Sequence, residues 1–77
     1  MGVAGKMDAT PFVQAVMQQG HSQGFAEDLA EAVAQGAANK TPSYPATLQV
    51  GLGSAGYTVS ADLVNGKLTL IDLKRVV

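Results

Sequence analysis

Among the side chains of this sequence, a single histidine is the one best suited to acid–base catalysis. His21 is the only histidine among the 77 residues, and there is no cysteine. A catalytic histidine needs a nucleophile and a group that orients the ring. Ser22 stands beside it but is too close in sequence to act as an independent nucleophile. We therefore interpret His21 as a residue of a turn and predict that the protein is not an enzyme.

Three acidic residues lie close together and could bind a metal ion. Glu27 and Glu31 are one helical turn apart, and Asp28 is their neighbour. Carboxylates without a histidine or a further ligand group make a poor metal site. We expect no metal, and we interpret these residues as the solvated face of a helix.

The segment Gly51-Leu52-Gly53-Ser54-Ala55-Gly56 has the spacing G-x-G-x-x-G. It follows an apolar run that reads as a strand, and a later apolar run ends at Asp72. This pattern resembles the dinucleotide-binding fingerprint of Rossmann-type enzymes, in which glycines let a helix N-terminus approach a pyrophosphate and an acidic residue binds the ribose. The resemblance implies that Gly51, Gly53, Gly56 and Asp72 would bind a nucleotide cofactor.

The residues after the last glycine favour a different interpretation. Tyr57-Thr58-Val59-Ser60 alternates with period two and is rich in β-branched and aromatic residues. That composition predicts a strand where the fingerprint requires a helix. We therefore prefer a glycine-rich hairpin loop and no cofactor, and we keep a nucleotide-binding fragment as the alternative.

Two helices are predicted in the first half of the chain. Thr10 can cap the first helix, Pro11 suits its first position, and Gly20 can end it. The second helix is predicted over residues 24–38. Apolar residues at helical spacing are Phe12, Val13, Val16 and Met17 in the first helix and Phe25, Leu29, Ala32, Val33 and Gly36 in the second.

The second half of the chain alternates between apolar and polar residues, which predicts three strands over 46–52, 57–64 and 67–73. A four-residue loop over 53–56 would pair Leu52 with Tyr57, and a two-residue turn at Asn65-Gly66 would pair Leu63 with Leu68.

Because each element has one apolar side to bury, we predict an α+β domain of two layers. An N-terminal helical pair packs on a three-stranded antiparallel β-meander, in the order α-α-β-β-β. Residues 1–9 are predicted to be a flexible arm, and residues 10–77 a single small domain. The predicted core consists of Phe12, Val16, Met17, Phe25, Leu29 and Val33 against Leu48, Val50, Leu52, Tyr57, Val59, Leu63, Leu68 and Leu70.

The last strand breaks its own alternation at Ile71-Asp72-Leu73. Either a β-bulge switches the faces there, or the second face of the sheet is also covered. With Val76 and Val77, these residues form an apolar end that could pair with another chain. The alternative is a bulge that folds all of them into the protein's own core.

The composition favours a protein that works with a partner. Apolar residues make up 47% of the chain, but charged residues only 14%, against roughly 25% in an average soluble domain. A core of this size supplies only about 3–5 kcal/mol. We therefore predict a non-enzymatic protein–protein interaction module, either a homo-oligomer or a small inhibitor or accessory subunit of a larger protein complex. A viral or mobile-element source would fit. The predicted partner-binding residues are Tyr44, between two prolines, and Ile71, Leu73, Val76 and Val77.

Other classes of partner are not expected. The net charge is −1 with five Lys and Arg residues, whereas a nucleic-acid module needs a surplus of basic residues. No run approaches the roughly 18 apolar residues of a membrane span. The first residues lack the apolar stretch of a signal peptide, so we expect a cytoplasmic protein.

Overall fold

The computed structural model describes residues 8–40 and 43–77 of the chain. It contains two helices followed by three strands, in the predicted order α-α-β-β-β. The strands form an antiparallel sheet in the order β1-β2-β3. The bounds are α1 Thr10–Gln18, α2 Gln23–Lys40, β1 Ala46–Leu52, β2 Ala55–Val64 and β3 Lys67–Arg75.

The sequence predicts Thr10 as the residue that caps α1, but in the structure Asp8 has this role. The backbone N–H of Thr10 donates to Oδ1 of Asp8 at 2.9 Å. Hydrogen bonding by Thr10 holds the pKa of the Asp8 carboxyl below its ordinary value of 3.8. The backbone of Asp8 is also paired with the start of β3, because its N–H donates to Gly66 at 2.9 Å and its carbonyl accepts from Leu68 at 2.8 Å. Residues 1–7 of the predicted arm lie outside the described residues, and Asp8 is bound to the sheet.

Gly20 ends α1 and Ser22 caps α2 at the corner between the two helices. Gly20 adopts a φ of +101° and its N–H donates to the carbonyl of Met17 at 2.9 Å, which is how glycine commonly ends a helix. Oγ of Ser22 accepts from the N–H of Phe25 at 3.1 Å. This serine cap starts α2 one residue before the predicted position, and the helix continues two residues beyond its predicted end, to Lys40.

The first hairpin has a different register from the predicted one. Leu52 pairs with Ala55 and Val50 with Tyr57, so the turn contains only Gly53 and Ser54. Gly53 has a φ of +63°, as the first central residue of a type II′ turn requires. The prediction was wrong by two residues. Because a shift of two leaves every side chain on the same face, the alternation could not distinguish the two registers.

The second hairpin confirms the predicted register, with Leu63 opposite Leu68 across the Asn65-Gly66 turn. Both turn residues have positive φ, 53° for Asn65 and 78° for Gly66. Two successive positive values define the type I′ turn, whose twist matches that of the flanking strands.

We expect Gly66→Val to lower the free energy of unfolding by about 1–3 kcal/mol, because a β-branched residue is strained at positive φ. Urea denaturation followed by circular dichroism measures the change. Gly66→Asn is the matched control, since asparagine tolerates this conformation, and it should lose much less. Equal stability of Gly66→Val and the wild type would contradict the assigned turn.

Both helices pack on one face of the sheet, α1 mainly on β3 and α2 on β1. Met17 was predicted in the core but is 39% exposed. It lies on the flank of α1 that faces α2, where the two helices leave a groove between them. The buried residues are Phe12, Val16, Ala26, Leu29, Ala30, Val33, Val50, Val59, Ala61 and Leu68, and the other predicted core residues are half-buried around them.

The broken alternation of β3 is a β-bulge at Ile71. Ser60 pairs with Asp72 and Ala61 with Leu70, so Ile71 has no partner on β2. The extra residue returns Leu73 to the core face, opposite Val59. The predicted bulge therefore occurs, but the expectation that it folds the whole segment into the core is wrong, because Ile71, Val76 and Val77 stay exposed.

Candidate protein interaction surfaces

Among the residues that the structure describes, the most exposed large apolar side chains lie in the last segment of the sequence. Ile71 is 57% exposed, Val76 58% and Val77 73%. Leu73 differs from them, because it is half-buried and packs against the core. The bulge therefore divides the predicted partner-binding residues of β3, placing Leu73 inward and leaving Ile71 on the surface.

The last two residues cross back onto the first hairpin. The N–H groups of Val76 and Val77 both donate to the carbonyl of Gly56, at 2.8 and 3.3 Å. A β-carbon added at Gly56 would lie 3.4 Å from a methyl carbon of Val77, an ordinary van der Waals distance, so the valine packs against this glycine. Val76 and Val77 are thus held in place at the sheet while their side chains stay exposed.

The glycine pattern does not have the geometry of a dinucleotide site. Gly51 lies in β1 opposite Gly56 of β2, and a strand follows Gly56. The fingerprint needs a helix N-terminus there to face the pyrophosphate. Asp72 is exposed on β3, with its Oδ2 3.9 Å from Nζ of Lys74. Gly53 forms a tight turn, and Gly56 contacts Val76 and Val77.

Tyr44 was predicted to be an exposed aromatic residue, and this prediction is wrong. Its side chain is half-buried and packs against the core. Its hydroxyl is buried and has no hydrogen-bond partner among the described residues. Burial raises the pKa of the phenol above its ordinary value. The ring therefore contributes to the packing of the loop before β1.

His21 lies at the predicted corner and contributes to packing. Its ring centroid is 4.5 Å from that of Phe25, which lies 5.3 Å from that of Tyr57 in an edge-to-face arrangement. Such contacts stabilise by about 0.5–1.5 kcal/mol per aromatic pair. The row of rings joins the helical corner to β2.

The acidic residues of α2 are exposed on the surface, as the sequence indicated. The Glu27 carboxylate accepts a hydrogen bond from Nε2 of Gln23 at 2.9 Å. Within residues 8–40 and 43–77, no three histidine, aspartate or glutamate side chains are grouped so that they could hold a metal ion.

An open groove of about 760 Å³ lies between α1 and α2, and the sequence interpretation missed it. Its floor is apolar, and Glu27 and Glu31 lie along the α2 side. A sequence signal was present, since α1 contains no charged residue. The apolar residues that line the groove are Ala9, Val13, Met17, Ala30 and Ala34.

Fold and surfaces together define a small α+β domain in which a helical pair covers one face of a three-stranded antiparallel sheet. Comparison with protein families, with characterised proteins and with solved structures gives no significant match to this chain. In the part of the chain that the structure describes, neither helix combines the length and apolar character needed to cross a membrane.

Proposed function

We propose that this chain is a non-enzymatic protein–protein interaction module and that the end of β3 belongs to its binding surface. The observation that carries the proposal is the exposure of Ile71, Val76 and Val77, each more than half accessible to solvent. Exposed apolar side chains that are grouped in one segment of a small domain are typical of a contact surface for another protein.

The position of Ile71 supports this proposal. A bulge residue is free of pairing with the neighbouring strand, and bulges often redirect a side chain at a functional position. Here the bulge places a large β-branched apolar residue on the surface, beside the ion pair of Asp72 and Lys74. Protein interfaces have an apolar centre and a polar rim, and Ile71 with its charged neighbours would suit such a contact.

The proposed partner is a protein with an apolar surface, either further copies of this chain or a larger complex in which it serves as an inhibitor or accessory subunit. Nucleic acid and membranes are not part of the proposal. The proposal also includes a cytoplasmic location and a viral or mobile-element source, and both of these rest on the sequence alone.

Ile71→Lys should abolish binding to the partner while leaving the fold intact, because the side chain is exposed and contributes little to the core. We would purify the tagged chain from its native cells and compare the proteins that the wild type and the variant retain. The matched control is Gln18→Lys, which adds the same charge at an exposed position of α1.

A protein retained by the wild type and by Gln18→Lys but lost from Ile71→Lys would support the proposal. Equal recovery of every partner by all three chains would remove Ile71 from the surface. A wild type that is monomeric and retains no protein would count against an interaction module.

A further inference from the structure

The two edges of the sheet are protected to different degrees. At the β3 edge, the backbone of Asp8 is hydrogen-bonded to Gly66 and Leu68, and the bulge at Ile71 interrupts the strand. Bulges, charged side chains and covering segments are the devices by which proteins prevent an edge strand from pairing. The charged residues of β3 are Lys67, Asp72, Lys74 and Arg75.

In residues 8–40 and 43–77, none of these devices protects the β1 edge. Its seven residues, Ala46–Leu52, include no charge and no proline, and their register with β2 is continuous. Among the described residues, no backbone hydrogen bond from a loop, turn or helix reaches this strand. The outer edge of β1 is therefore a row of free N–H and C=O groups that another extended strand can match.

The core also thins toward this edge. Val59 on the central strand is fully buried, whereas Leu48, its neighbour on β1, is only half-buried. Leu52 is half-buried as well. A strand placed beyond β1 would cover the core-facing side of both leucines, and this burial would stabilise the association.

We infer that β1 pairs with β1 of a second copy of this chain, antiparallel and about a two-fold axis at Gln49. The inference rests on the proposed function, since it names one partner of the module. Centring at Gln49 lets all seven residues pair and sets Leu48 opposite the partner's Val50. Because each residue then faces one of the same parity, both copies bury their cores on the same side. Identical uncharged strands bring no like charges together, and the contact is self-complementary.

The position of α2 fits this pairing. The helix reaches β2 through Phe25, which contacts Tyr57, and β1 through Gly36, where an added β-carbon would lie 3.6 Å from Leu48. Its contacts with the sheet are mainly with β1. In a β1–β1 pair, the two α2 helices would therefore come next to each other, and the helical layers would meet as well.

The contact between the two α2 helices would make the interface larger. A single strand edge is narrow, whereas stable complexes bury roughly 1,200–2,000 Å² in total. The strand and α2 together offer a broader contact. The result would be a six-stranded sheet whose outer strands are the two β3 strands, so that Ile71 of each copy stays available for a further protein.

The test is the molar mass in solution of the complete chain, measured by light scattering and sedimentation at micromolar concentrations. The wild type should be a dimer. Gln49→Lys should raise the dimer dissociation constant roughly 100-fold, because the axis sets like charges side by side. Gln49→Glu should do the same, and an equimolar mixture of the two variants should restore the dimer.

Thr58→Glu is the matched control for Gln49→Glu. Thr58 pairs with Gln49 on the same face but belongs to the central strand, where its other neighbour is Lys74, so the variant adds an equal charge away from the edge and should remain a dimer. Hydrogen exchange of the wild type supplies a second readout that needs no substitution. The β1 amides should become more protected as the concentration rises.

A wild type that stays monomeric with β1 exchange independent of concentration would overturn the inference. A dimer that survives both Gln49 substitutions but dissociates in Ile71→Lys would also overturn it, while leaving the proposed interaction module in place. Restoration of the dimer only in the mixed sample would establish pairing between two copies at β1.

Discussion

Replacing Phe12 with alanine is expected to leave the chain largely unfolded at 25 °C. Phe12 is the largest of the fully buried side chains. Phenylalanine-to-alanine changes in a core cost about 3–5 kcal/mol, and a core of this size supplies about the same amount in total. Far-UV circular dichroism and urea denaturation would show the loss of the cooperative transition.

Gln14→Ala provides the control for this prediction. Gln14 is exposed on the same helix, so its replacement should change the free energy of unfolding by no more than about 0.5 kcal/mol. A cooperative transition of Phe12→Ala with a midpoint close to that of the wild type would show that α1 does not anchor the fold as the structure places it.

Alanine substitution along β3 is expected to give a graded series that reports the position of the bulge. Leu68 is fully buried before the bulge, and Leu68→Ala should cost about 2–5 kcal/mol. Leu73 is half-buried after it, so Leu73→Ala should cost less. Ile71 is the exposed bulge residue, and Ile71→Ala should change stability by less than either leucine substitution.

The order of this series separates two registers of the last strand. Without the bulge, the strict alternation from Leu70 would place Ile71 and Leu73 on the same outer face, and both would be insensitive to replacement. The observed register predicts that Leu73 is the more sensitive of the two. Urea midpoints of the three variants decide between these registers, and equal values for Ile71→Ala and Leu73→Ala would contradict the bulge at Ile71.

The candidate surfaces were only partly predictable from the residues. The sequence marked Ile71, Val76 and Val77 as an apolar end, but hydropathy alone could not show that Leu73 turns inward. Tyr44 looked exposed because prolines flank it, yet its ring packs against the core. The groove beside Met17 depends on how two helices lie against each other, and no local pattern encodes that arrangement.

The sequence by itself determined the kind and order of the elements and the second hairpin. Alternation and helical spacing are local properties, and Asn65-Gly66 favours one turn because few residues adopt positive φ. Only the tertiary structure decided the register of the first hairpin, since shifts of two residues leave the same faces inward. It likewise decided which strand edge is shielded. Asp8 reaches β3 across 58 positions, from residue 8 to Gly66, through backbone hydrogen bonds that any residue type except proline could make.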